Sequence, residues 1–152
     1  MTGNTRSDID GLIQSTGPAN VFLLNPNGIL LGPNASLDIG GSFLATTADR
    51  ILFENDQFFS ATETSTPPTL TIATPIGLQF GAIQNSITVQ GDLDNSALSP
   101  LDVSTVPADG RTALEEDTQR TIALVGGNIQ FEGGRLVARQ GRIELGSVQQ
   151  AG

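Results

Sequence analysis

The stretch TIALVGGNIQFEGGRLVARQGRIELGSV, residues 121–148, sets short alternating apolar segments between glycines, and its reading decides the fold. Ile129, Leu136 and Ile143 recur every seven residues, a spacing that a coiled-coil heptad also produces. Gly126-Gly127, Gly133-Gly134, Gly141 and Gly146 would each cost about 1 kcal/mol inside a helix, so the heptad is rejected. A strand of about five residues plus a tight glycine bend instead makes one side of a coil, and three such sides make a coil of about 21 residues. That is the geometry of a parallel β-helix, in which each coil hydrogen-bonds to the next and alternate side chains enter a shared core. Ile129 with Phe131 and Ile143 with Leu145 are expected to point inward, Gln130 and Glu144 outward.

The N-terminal half has the same texture. In ASLDIGGSFLATTADRILF, residues 35–53, Leu37/Ile39, Gly40-Gly41, Phe43/Ala45 and Ile51/Phe53 read as strand, bend, strand and strand. An antiparallel sandwich also uses short alternating strands, but it seldom spaces its bends so regularly. Two segments break the rhythm. Residues 62–75 contain Pro67-Pro68, which excludes a central strand and predicts an excursion, an extra hairpin on the side of the solenoid. Residues 94–119 are polar, carry two prolines and Glu115-Glu116-Asp117, and predict a long exposed loop.

Composition narrows the chemistry. At 152 residues the chain makes one domain with one core, and 18 glycines without a single lysine favour a β-rich, turn-rich fold over a helical one. Cys, His, Lys, Trp and Tyr are all absent, which removes the Ser-His relay, the thiolate nucleophile, the usual zinc ligands, the Schiff base and the P-loop lysine. No cofactor or metal is expected. The net charge of −9 repels nucleic acid and anionic lipid. Residues Met1 to Ser7 lack the basic start and apolar core of a signal peptide, and no apolar run approaches membrane-spanning length.

In LLNPNGILLGPN, residues 23–34, Pro26 presets its φ for a turn, while Asn27 and Gly28 tolerate positive φ. The flanking Val21 to Leu24 and Ile29 to Leu31 read as buried strands. Asn25, Pro26, Asn27, Gly28 and Ile29 are therefore read as a turn between coils, and the resemblance given below adds a second reading of them as a recognition motif. Asp8 and Asp10 could form an acid and base pair, but alternation leaves both on one solvated strand face. DLDNS, residues 92–96, begins like a calcium loop and then fails, with Ala97 for the required glycine and Val103 for the bidentate glutamate. Arg135 and Arg142 are read as solubilising charges on exposed strands, and Phe58-Phe59 as core fillers or the base of the excursion.

Taken together, residues 8–53, the following FFSAT and residues 123–148 resemble the secretion domain of filamentous-haemagglutinin-like exoproteins, the two-partner secretion domain, in its cyanobacterial type. The most specific element is Asn25-Pro26-Asn27-Gly28-Ile29, with Gly40-Gly41-Ser42-Phe43 following at the family's spacing. The resemblance implies an all-β, right-handed parallel β-helix at the start of a large secreted adhesin. It also implies recognition in the periplasm by the POTRA domains of a cognate outer-membrane transporter, with no active site and no membrane insertion. Family members carry a signal peptide and a further N-terminal region before the part that Met1 begins, so the expectation is a single partial domain, truncated at its N-terminus. Its uncapped ends would favour self-association. Two other readings stand beside the secretion and adhesion module: a fragment of a β-helical polysaccharide lyase or hydrolase, and a purely structural surface solenoid.

Overall fold

The structure is a computed structural model and describes residues 4–63, 75–91, 101–102, 120–138 and 141–149, the pair 101–102 by its backbone alone. Among these residues there are strands and no helix. Glycine bends cut the chain into pieces too short for a helix; some alternate apolar with polar residues, as a half-buried strand does, and others, such as Val21–Leu24 and Ile29–Leu31, are wholly apolar.

The strands fall into passes of three. The first pass is β1 (Ser7–Ile9), β2 (Leu12–Gln14) and β3 (Val21–Leu24), and the second is β4 (Ile29–Leu31), β5 (Ser36–Asp38) and β6 (Phe43–Thr46). The chain then leaves this pattern for β7 (Arg50–Phe53), β8 (Phe58–Ser60) and β9 (Pro75–Gln79). It returns for a third pass, β10 (Ile87–Gln90), β11 (Leu101–Asp102) and β12 (Thr121–Gly126), and a fourth, β13 (Ile129–Glu132), β14 (Leu136–Val137) and β15 (Arg142–Ser147). First strands stack on first strands in the order β1-β4-β10-β13, and third strands on third strands in the order β3-β6-β12-β15. Second strands pair as β2 with β5 and β11 with β14, and β5 contacts β11. All of these pairings are parallel.

Register carries the core. Ile87 is the ladder partner of both Ile29 and Ile129, and Val89 of both Leu31 and Phe131. On the third-strand stack, Phe43, Ile122 and Ile143 align, and so do Ala45, Leu124 and Leu145. Ile29, Leu31, Ile87, Val89, Ala45, Ile122 and Leu124 are wholly buried, Phe43 nearly so. Each such side chain other than that of Ala45 contributes on the order of 1.5–3 kcal/mol over an exposed position. The second-strand stack closes the third side with Ile13, Leu37 and Leu136 against the same cluster. At its corner with the third stack, a Cβ on Gly40 or Gly41 would collide with the carbonyl oxygen of Gly17 or Ala19 in the preceding pass, so only glycine lets the passes close there.

The same register explains where expectation and structure differ. Phe131, Ile143 and Leu145 share the rows of Val89, Ile122 and Leu124, yet they are 43%, 43% and 53% exposed. Among the described residues nothing stacks beyond β13 and β15, so side chains that point along the core row meet solvent. Gln130 and Glu144 are exposed, as alternation predicts.

Ile51 and Phe53 do not belong to a pass. They lie in β7, the centre of the antiparallel sheet β8-β7-β9. Asn55 and Asp56, both at positive φ, turn the chain between β7 and β8. The Glu54-Asn55-Asp56-Gln57 run was the hairpin signal in the sequence. Phe58 and Phe59 are about two-fifths exposed rather than core, and the Arg50 guanidinium lies 4.6 Å from the centre of the Phe58 ring while also pairing with Glu63. Of the expected excursion at 62–75, only Thr62, Glu63 and Pro75 fall within the described residues. The expected loop at 94–119 lies outside them apart from the strand Leu101–Asp102, and so does the rejected calcium-loop stretch at 92–96.

Leu124 and Leu145 are ladder partners in one row with opposite exposure. Leu124→Ala is expected to lower unfolding free energy by about 2–5 kcal/mol and Leu145→Ala by less than half as much, read from urea denaturation midpoints.

Candidate recognition turn at Asn25 to Ile29

Asn25 follows β3 and still belongs to the ladder, because its backbone N–H donates to the Thr46 carbonyl at 3.0 Å. Its own carbonyl accepts the Gly28 N–H at 3.1 Å, which closes a four-residue turn with Pro26 in the second position. The Asn25 side chain reinforces that turn. Its Oδ1 accepts the backbone N–H of Asn27 at 2.9 Å and the Asn27 side-chain amide at 3.2 Å. Its Nδ2 donates to the Thr5 carbonyl at 3.1 Å and to Ser7 Oγ at 2.7 Å, so one side chain bonds the turn to the start of the first pass.

The rest of the motif is laced to its neighbours in the same way. The Ser7 N–H donates to the Gly28 carbonyl at 3.0 Å, and the Ile29 N–H donates to the Ser86 carbonyl at 3.1 Å. From the next pass Asn85 Nδ2 donates to the Pro26 carbonyl at 2.8 Å. Gly28 has a φ of +109°, which favours glycine, and a Cβ there would also sit tightly, 3.2 Å from the Ser86 carbonyl oxygen. Gly28 and Ile29 are buried, while Asn25, Pro26 and Asn27 are half-buried. The motif is uncharged, and most of its polar groups are turned toward the chain itself.

Asn85 and Ser7 were not among the residues singled out from the sequence. A signal for Asn85 was present, since Asn85-Ser86-Ile87 repeats the Asn-x-Ile spacing of Asn27-Gly28-Ile29, and Ile87 and Ile29 are ladder partners. A second corner is tied by Asn20, whose Oδ1 accepts the Ser42 N–H at 2.8 Å, and by Ser42, whose Oγ accepts the Thr121 N–H at 3.0 Å. Ser42 belongs to the Gly40-Gly41-Ser42-Phe43 stretch read alongside the turn.

Asp8 and Asp10 are not brought together for catalysis. Asp8 pairs with Arg6 at 2.6 Å, whereas Asp10 accepts the Asn34 backbone N–H at 2.8 Å and the Asn34 side-chain amide at 3.0 Å. Those two bonds hold the Asp10 carboxyl below the usual carboxylate range, the backbone donor contributing most. Arg142 pairs with the neighbouring Glu144 at the surface. Among the described residues no group of three or more acidic side chains is placed to hold a metal ion, and no helix is long and apolar enough to cross a membrane.

Against family models, the TPS secretion domain matches residues 1–152, the whole chain. The chain belongs to the TPS secretion domain family. Neither a curated protein nor a solved structure gives a match. The TPS secretion domain is a module of exported proteins, not an enzyme family, and it acts in two-partner secretion with an outer-membrane transporter as partner.

Because its folded pKa is depressed, Asp10 contributes stability above the ordinary carboxylate range and loses it as pH falls through that range toward the lower folded value. NMR titration of the Asp10 carboxyl should give a midpoint below that of an unstructured aspartate, and Asn34→Ala, which removes the side-chain donor but keeps the backbone N–H, should move it only part of the way back up.

Proposed function

We propose that this TPS secretion domain is the export signal of a larger adhesin and is recognised in the periplasm by the POTRA domains of its cognate outer-membrane transporter. The observation that carries this reading is the family match over the whole chain. The strand order supports a right-handed parallel β-helix as the working fold. Visiting parallel stacks in the same order on every pass is what a three-sided coil produces, and parallel crossovers are right-handed by steric preference. Such a chain folds pass by pass on what has already emerged, so folding outside the membrane can favour export without a nucleotide.

In this reading Asn25, Pro26, Asn27, Gly28 and Ile29 act first as the turn that fixes the first pass to the second. The bonds of Asn25 to Thr5, Ser7 and Asn27 support that role, and the half-buried Pro26 and Asn27 are the part of the motif that remains for the transporter to touch. The apolar, exposed Phe131, Ile143 and Leu145 at the edge of the last pass support self-association of the chain through its end.

Calorimetry of the purified chain with the POTRA domains of the nearest encoded transporter is expected to show saturable binding, and a folded chain that does not bind would overturn the recognition reading. Asn25→Asp replaces the Nδ2 donor with an acceptor facing the Thr5 carbonyl, and is expected to cost about 1–3 kcal/mol of stability. Its binding should fall only as far as its folded fraction does; lost binding at unchanged thermal stability would make the motif an epitope instead. Sedimentation should show association that rises with protein concentration, and Leu145→Arg should reduce it if the end of the last pass is the contact.

A further inference from the structure

Asn27-Gly28 is the only Asn-Gly pair in the sequence. In such a pair no side chain shields the nitrogen that follows the asparagine, and that nitrogen can attack the asparagine side-chain carbonyl carbon. The bond from Gly28 N to Asn27 Cγ forms, the bond from Cγ to Nδ2 breaks, and the nitrogen's proton leaves with the amide group as ammonia. Water then opens the resulting succinimide at either carbonyl to give aspartate or isoaspartate, with no change of oxidation state. Asn25 cannot react in this way, because Pro26 has no N–H to lose.

We propose that Asn27 is a deamidation site gated by the folding of this turn. In the folded protein the attacking nitrogen is occupied, since the Gly28 N–H donates to the Asn25 carbonyl and Gly28 is buried. The electrophile is held as well, with the Asn27 side-chain amide donating to Asn25 Oδ1 at 3.2 Å. The Gly28 bond restrains Asn27 ψ and the side-chain bond restrains its χ1, the two dihedrals that ring closure has to change, and the Asn27 backbone N–H bonds the same Asn25 oxygen at 2.9 Å. An unfolded chain has none of these bonds. Asn85-Ser86, a pair with a small following residue, is also held in the fold by the bond from Asn85 Nδ2 to the Pro26 carbonyl.

The products bear on the fold directly. Aspartate at position 27 sets a carboxylate against Asn25 Oδ1, where an amide now donates. Isoaspartate lengthens the main chain by one methylene inside a turn whose backbone bonds to Ser7 and Ser86 are in register. Either product loosens the connection between the first two passes. The chemistry is independent of the secretion reading.

The test is incubation of the chain in warm, mildly alkaline buffer with and without urea, followed by peptide mass spectrometry for replacement of the amide NH2 by OH. Asn27 is expected to react at least about tenfold faster in urea, the factor that a local opening free energy of about 1.4 kcal/mol imposes on the native protein. Gly28→Ala, examined only in urea where folding is not required, should slow the reaction. Equal rates with and without urea would remove the gating, and an unreactive Asn27 in urea beside a reacting Asn85 would remove the site. Asn27→Asp should refold to a less stable state than the unmodified chain, and an unchanged denaturation midpoint would remove the consequence.

Discussion

Each pass of this chain is held by the passes beside it, through inward side chains stacked in register. Ile29 lies on Ile87, Leu31 on Val89, Phe43 on Ile122 and Ala45 on Leu124, all essentially without exposure. A strand of three or four residues has no independent stability, so the ladder and the apolar row have to form together. A slip of one residue would turn every inward side chain outward. That constraint tolerates interruption: the chain leaves after β6 for an antiparallel sheet and returns with Ile87 on Ile29.

Corners need a different solution, because a bend interrupts the ladder and leaves backbone groups to satisfy. Asparagine and serine side chains supply it here. Asn25 bonds the turn to Thr5 and Ser7, Asn85 reaches the Pro26 carbonyl, and Asn20 and Ser42 relay one pass to the next. Glycines fill the places where no Cβ fits against a neighbouring carbonyl. The motif that looks most like an epitope in the sequence is thus also one of the most heavily bonded corners of the fold.

A chain built from stacked passes and satisfied corners has little need of reactive side chains, and this one lacks cysteine, histidine and lysine altogether. Its family acts in two-partner secretion, with an outer-membrane transporter as partner. Nearest-neighbour stacking makes each pass depend on the passes on either side of it, as Ile29 depends on Ile87. The net charge of −9 discourages capture on nucleic acid or anionic lipid.

The sequence by itself determined much of the local conformation: bends at Gly133-Gly134 and Gly141, the turn at Asn25 to Gly28, and Phe43 and Ala45 facing inward, because glycine placement, proline and alternation act over a few residues; Gly146, read as a bend, instead lies inside β15. It did not reveal that Ile51 and Phe53 pair antiparallel with β8 and β9, since a short apolar run carries no information about its partner. Nor did it reveal that Phe131, Ile143 and Leu145 are exposed while Val89, Ile122 and Leu124 in the same rows are not. Alternation sets which way a side chain points. Only the stacking of passes decides whether another pass lies beyond it, and therefore whether pointing inward means being buried.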